Sequence, residues 1–303
     1  MESEFIAWLR DRLPRHERLA VGVGDDAALV QMASGGKLLV SVDVLTDGVD
    51  FRVDEVDARR IGRKALAVNL SDMAAMAGRP LAVVVGVVLP RTDGLRLAQE
   101  LAEGMIPLAE QFDVAFAGGD TNSWDGPLVI SVTILGEPTL RGPLRRKGAK
   151  PGDVVIVTGS FGGSILGHQF DFEPRVREAL LLHDRYDLHA GIDVSDGLSL
   201  DLSRLAAESG CGAQLRLDAI PINPAAEELA RRDGVAPLAH ALGDGEDFEL
   251  VLAVPPGSAR RMLADQPLGV PLTAIGEFVE AAGLWQLDVD GKQTPLVPHG
   301  FQH

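Results

Sequence analysis

Five short apolar runs in this chain each stop at a carboxylate: LAVGVGDD (19–26), LLVSVD (38–43), LAVNLSD (66–72), VAFAGGD (114–120) and HAGIDVSD (189–196). Buried strands read as short apolar runs bounded by turn signals, and ligands in α/β folds gather beyond strand ends, so these carboxylates are expected to converge on one site. Two ionised carboxylates about 6 Å apart repel by roughly 3 kcal/mol at an effective dielectric near 20. Such a cluster is tolerable only around cations. Oxygen ligands with few nearby His or Cys favour a hard ion, and Mg²⁺ is typically held by a few carboxylates together with substrate phosphates. The pattern therefore points to Mg-nucleotide chemistry.

Each Asp taken alone has an ordinary role as a turn residue or helix N-cap. Recurrence after apolar runs favours the site. Asp193 and Asp196 flank Ser195 at the entrance to a helix, where a free N-terminus suits phosphate and a carboxylate suits the accompanying metal. Gly118 to Thr121 and Gly159 to Gly163 read as small-residue loops, either simple turns or places where backbone N–H groups approach an anion. Arg146, Lys147 and Lys150 are either solvated linker charges or the cations that attract a polyphosphate. Gly245-Glu-Asp-Phe-Glu249 places three acids before a buried strand. There is no G-x-x-x-x-G-K-[ST], no kinase H-R-D or D-F-G set and no H-E-x-x-H. Gly22-Val-Gly24-Asp-Asp-Ala27 is only a truncated dinucleotide fingerprint with no long helix after it.

The elements that must carry these residues are legible from periodicity. Helices are expected over 3–13, 56–77 and 95–111, the last with Leu97, Leu101, Met105, Leu108 and Phe112 as a core stripe. Strands are expected over 21–24, 38–44, 81–89, 114–117 and 128–135, giving a first unit β-β-α-β-α-β-β. A Pro-, Gly- and Arg-rich segment then separates two patterned halves, so we read domains at 1–138 and 153–303 joined by a linker at 139–152. The second half reads as strands over 153–158, 189–194, 248–254 and 272–278, with helices after the Gly159–Gly163 turn and near 198–209, 224–232 and 257–264.

At 303 residues, two domains are the usual expectation. A formal charge of −16 argues against a nucleic-acid surface. One cysteine, Cys211, cannot form an intramolecular disulfide and reads as a small buried hydrophobe in a reducing, cytoplasmic protein. The charged N-terminus shows no export signal, and the longest apolar stretch, Leu81 to Leu89, is about half what a bilayer-spanning helix needs.

In order along the chain, GVGDDAAL, SVDVLTDGVDF, GRKALAVNLSDMAAMA, AGGDTNSWDGPLVISVTILGE, GAKPGDVVIVTG, GIDVSDGLSLDL and GDGEDFELVL closely resemble the thiamine-monophosphate kinase family, from about residue 20 to the C-terminus. That family belongs to the ATP-binding superfamily of aminoimidazole ribonucleotide synthetase. The resemblance implies a mixed α/β (α+β) two-domain fold and a homodimer formed through N-terminal strands. It also implies ATP as co-substrate, several Mg²⁺ ions, and neither nucleic acid nor membrane as partner. By motif, it implies Asp26, Ser41, Val42, Asp43, Asp72, Asp120, Asp193 and Asp196 at metal positions and Gly119, Asp120, Arg146 and Ser195 against ATP. Asp50, Glu246 and Phe301 would lie on the thiamine side, and Asp43, Asp120 and Arg146 would carry catalysis. Two positions depart from the family pattern. Asp50 stands where a substrate-contacting His is usual, and Val42 replaces a Thr, leaving only a backbone carbonyl to ligate.

The expected reaction is transfer of the ATP γ-phosphoryl group to thiamine monophosphate. A sister enzyme activating another small molecule, and a non-catalytic Mg-nucleotide-binding regulator, are the alternatives.

Overall fold

A computed structural model describes residues 2–14, 16–287 and 291–301. The first half runs α1 (Glu2–Arg12), β1 (Leu19–Val21), β2 (Ala28–Gln31), β3 (Lys37–Thr46), α2 (Ala58–Ala75), β4 (Gly78–Pro90), α3 (Gly94–Gln111), β5 (Ala115–Trp124) and β6 (Val129–Pro138). Its sheet has the order β1-β2-β3-β6-β4-β5. All neighbours are antiparallel except β4 and β5, so the ends of these strands do not share one edge as a doubly wound sheet would require.

The second half begins with β7 (Val154–Thr158), α4 (His168–Asp171), α5 (Val176–Arg185), β8 (Ala190–Asp193), α6 (Leu198–Ser209) and β9 (Gly212–Arg216). It continues through α7 (Pro224–Asp233), α8 (Pro237–Gly243), β10 (Leu250–Val254), α9 (Pro256–Asp265), β11 (Leu272–Val279), β12 (Gly283–Leu287) and β13 (Gln293–Pro295). These strands form a second sheet of order β13-β12-β9-β11-β7-β10-β8.

Helix α2 holds the two halves together. It starts where the Asp57 carboxylate accepts the Arg59 N–H at 2.8 Å. Of its 18 residues 14 are buried, which is what a helix enclosed on all sides requires. Its neighbour α3 approaches backbone to backbone: a Cβ on Gly62 would lie 2.1 Å from the Leu101 carbonyl oxygen, and one on Gly104 would lie 1.8 Å from that of Arg59. Only glycine fits at either crossing point. The α3 stripe Leu97, Leu101, Met105, Leu108 and Phe112 is buried, as its spacing predicts.

One core joins the first sheet, α2 and α3 to Leu182 of α5, Met262 of α9 and Leu250, Leu252 and Val254 of β10. The alternate β10 residues, Val251 and Ala253, face a second core with Leu202 and Leu205 of α6. The second sheet is thus covered on both faces, and α2 lies between it and the first sheet.

Several expectations change. β2, β9, β12, β13 and α8 are additional elements, short enough to escape a periodicity reading. Gly118 to Thr121 is part of strand β5 instead of a loop. Gly159 to Gly163 is a turn, but its Gly162 and Gly163 N–H groups donate to Asp247 and Asp244, each at 2.8 Å, so they are not free to cradle an anion. Among the described residues, no helix is long and apolar enough to cross a membrane.

Candidate active site

Four carboxylates from both halves meet at the C-terminal end of α2. Asp26 comes from the turn between β1 and β2, Asp43 from the middle of β3, Asp72 from the last turn of α2, and Asp193 from the end of β8. One oxygen each of Asp26, Asp72 and Asp193 lies within 4.8 Å of the others. At that separation each ionised pair costs about 3 kcal/mol at an effective dielectric near 20. Asp72 also sits at the negative end of a helix with no basic residue in its last turn. Burial, then the neighbouring acids Asp50 and Asp26, pushes Asp43 up to about 6. Burial and Asp26 push Asp193 up to about 8. Burial, Asp43 and Asp193 hold Asp72 well above the ordinary carboxylate range.

Hydroxyls brace the cluster without neutralising it. Ser41 Oγ donates to Asp72 and, at 2.9 Å, contacts the Asp26 carbonyl oxygen; Ser71 Oγ donates to Asp193 at 2.5 Å. Asp26 Oδ2 and Asp43 Oδ2 are buried with no hydrogen-bond partner. Orphaned anionic oxygens beside crowded carboxylates are the chemistry of a hard-cation site, and the residues fit Mg²⁺.

Arg146 brings a guanidinium into this cluster's shell, its Nε 3.0 Å from Asp26 Oδ1. Burial opposes its charge, but Asp26 and then Asp193 and Asp201 more than offset that, so it stays cationic. Asp25 accepts the Arg146 backbone N–H at 3.0 Å and ion-pairs with Arg145 at 3.4 Å, fixing the turn that presents Asp26.

The remaining expected positions are distributed differently. Asp196 pairs with Arg204 at 2.5 Å, and its N–H donates to Asp201, so it stands beside the cluster and not within it. Ser195 accepts the Glu246 N–H at its carbonyl. The side chain of Val42 is 57% exposed on the outer face of the first sheet.

Asp120 departs most. Asp43, Val132, Val85 and Gly119 form one cross-strand row, while Val44, Ser131, Gly86 and Asp120 form the next. Adjacent rows point to opposite faces. Val132 is fully buried, so Asp43 faces inward and Asp120 outward, three strand spacings or about 14 Å across the sheet. The expectation that Asp120 joins the other carboxylates fails within one chain. Gly119 has a structural cause of its own, since a Cβ there would meet the Val85 carbonyl oxygen at 2.0 Å.

Asp50 and Glu246 share Lys64 of α2, and Glu246 and Phe301 both bond to the 195–196 turn. Glu246, with φ of 54°, hangs from Ser195, and the Phe301 N–H donates to the Asp196 carbonyl at 2.9 Å. Asp50 closes its own turn, its carboxylate accepting the Thr46 N–H at 2.7 Å. Sequence reasoning missed Lys64, whose ammonium lies 2.5 Å from Glu246. The available signal was weak, because Lys64 follows Arg59, Arg60 and Arg63 and stands just before the apolar run of α2.

Two family models cover most of the chain: AIR synthase related protein, N-terminal domain, matches residues 24–137, and AIR synthase related protein, C-terminal domain, matches residues 150–284. The class is thus the one built from these paired α/β domains. A thiamine-monophosphate kinase of Rhodopirellula baltica is 43% identical over 100% of this chain and 97% of its own length. The structure of AaThiL complexed with AMPPCP and TMP superposes with a TM-score of 0.80 at 27% identity, covering 100% of this chain and 96% of that one. The thiamine-monophosphate kinase of Stenotrophomonas maltophilia K279a superposes with a TM-score of 0.74 at 34% identity, over 95% of each chain. The chain belongs to the thiamine-monophosphate kinase family.

Proposed function

We infer that this protein transfers the γ-phosphoryl group of ATP to the phosphate of thiamine monophosphate, giving thiamine diphosphate and ADP. The observation that carries the reading is the buried meeting of Asp26, Asp43, Asp72 and Asp193, with two orphaned oxygens, in a chain 43% identical to a family kinase along its whole length. The solved relative with AMPPCP and TMP supports the same pair of ligands here.

The acceptor phosphate oxygen is already anionic near neutral pH, so no strong general base is needed. The difficulty is bringing two polyanions into line, and the chain's part is positioning and charge neutralisation. Asp26, Asp43, Asp72 and Asp193 would hold Mg²⁺, with Ser41 bracing Asp72. When bound, Mg²⁺ supplies positive charge to the phosphates. Arg146, already inside the acidic shell, is the residue we assign to the transferred group. Ser195 flanks the nucleotide. Glu246 and Phe301 orient the organic part of the acceptor. Asp50 contributes through its turn, which accounts for a carboxylate being tolerated where His is usual.

We also propose a cytoplasmic homodimer, with residues 139–152 linking two domains. Val42, Val44 and Val84 are 57%, 59% and 41% exposed and line one face of the first sheet, which a second copy would bury. Asp120 belongs to this assembly face in the proposal, and Val42 contributes there by its side chain. Light scattering is expected to give twice the chain mass.

The functional test is ADP release with Mg-ATP and thiamine monophosphate, thiamine or no acceptor. Release is expected with the monophosphate alone. Release independent of acceptor, or none under any acceptor, would overturn the reading.

A further inference from the structure

We propose that Lys64 is a positioning residue for the acceptor: its buried ammonium, itself braced by the Asp50 carbonyl, holds Glu246 in the geometry that receives the organic end of the substrate. The inference rests on the functional reading above and assigns a role to a residue outside the expected site.

Lys64 is 1% exposed, although it ends a cationic stretch of α2, Arg59, Arg60 and Arg63, whose other members are more open to solvent. A lysine that deeply buried must be paired and hydrogen-bonded. Its Nζ donates to the Asp50 carbonyl oxygen at 2.8 Å and to Gln169 Oε1 at 2.7 Å, and it ion-pairs with Glu246 Oε1 at 2.5 Å. The Phe170 ring lies 5.0 Å away and adds a cation–π contact. These partners come from the β3–α2 connection, α4 and the loop before β10. One ammonium thus joins both halves of the chain.

Glu246 meets Lys64 through its carboxylate, and its side chain is partly open, 32% exposed. Its backbone is held at positive φ, a conformation that non-glycine residues adopt only when their surroundings enforce it. With Oε1 on Lys64, Oε2 remains for a cationic, amine-bearing acceptor such as a thiamine. Lys64 and Asp72 stand eight residues apart on α2, about 12 Å along the axis. The helix therefore fixes the distance between the phosphate-transfer end and the anchoring end. A ligand reaching both must be extended over about that length. Removing the ammonium would free Glu246 without touching the carboxylate cluster.

The test compares wild type, Lys64→Met, Glu246→Gln and the double variant. It reads KM for Mg-ATP, KM and kcat for thiamine monophosphate, and acceptor Kd by calorimetry with a non-hydrolysable ATP analogue. Losing a hydrogen-bonded charge partner is expected to weaken acceptor binding by about tenfold or more, with KM for Mg-ATP within about twofold of wild type. The double variant is expected to be no worse than Glu246→Gln, because Lys64 acts through that residue. Additive losses, unchanged acceptor affinity in Lys64→Met, or parallel losses for both substrates with a lower Tm would each overturn the assignment. A wild type that forms no thiamine diphosphate would overturn the functional reading itself, and this inference with it.

Discussion

Replacing Asp72 by Asn should make the metal-free protein more stable and, at the same time, deaf to magnesium. The amide keeps the shape and can still accept from Ser41 Oγ, which donates to Asp72 in the native site. What disappears is one charge in a group whose oxygens lie within 4.8 Å of one another. Each such pair costs about 3 kcal/mol at an effective dielectric near 20. The entropy of unfolding, about 2 cal/mol/K per residue, gives roughly 0.6 kcal/mol/K for a chain of 303 residues. Asp72 takes part in two such pairs, so removing its charge is worth about 10 °C in Tm. Wild type in Mg²⁺ at a hundred times its Kd gains about 2.7 kcal/mol, or about 4 °C. Scanning calorimetry at pH 8 with EDTA or Mg²⁺ reads both. An Asp72→Asn protein that melts below wild type in EDTA yet keeps the full Mg²⁺ shift would show that these carboxylates are not a cation site.

The Mg²⁺-induced rise in Tm should grow between pH 6 and pH 8. Asp43 and Asp193 are pushed up to about 6 and about 8, so the metal-free fold loses stability as pH rises from the ordinary carboxylate range through those values, and the metal restores it; a shift independent of pH would contradict this. Asp120→Asn should leave Mg²⁺ affinity, measured by calorimetry without nucleotide, within about twofold of wild type, whereas Asp193→Asn should lose at least tenfold, since only Asp193 lies in the inner cluster. Gly104→Ala should cost about 1–3 kcal/mol or more by denaturant titration, because the new Cβ meets the Arg59 carbonyl oxygen at 1.8 Å and α3 must move off α2. An unchanged midpoint would mean that the two helices do not cross so closely.

The parts of the site legible in sequence were those written in single residues at the ends of apolar runs. Asp26, Asp43, Asp72 and Asp193 follow such runs and do meet. The α3 stripe was legible because 3.6-residue periodicity over 18 residues leaves little else. Asp120 looked identical to the others in sequence, yet which face it takes depends on strand register. In a strand a one-residue difference reverses the side chain, and a register shift at Val83/Val84 intervenes. The role of Gly159 to Gly163 depended on Asp244 and Asp247, some eighty residues away, which consume the loop's N–H groups. Lys64 was hidden for a related reason: its partners Asp50, Gln169 and Glu246 are brought together only by the packing of α2 between the two halves. The Asp196–Arg204 pair was equally invisible, being a contact chosen by the turn into α6.

In the proposed reaction the γ-phosphoryl group of ATP becomes the terminal phosphate of thiamine diphosphate. The measurement closest to it uses ATP labelled in the γ-phosphate, Mg²⁺ and thiamine monophosphate, with the mass of the thiamine product and the position of the label determined. Thiamine diphosphate carrying the label in its terminal phosphate, in amounts equal to the ADP formed, is the predicted result. Labelled inorganic phosphate with thiamine monophosphate left unchanged would contradict phosphoryl transfer to this acceptor.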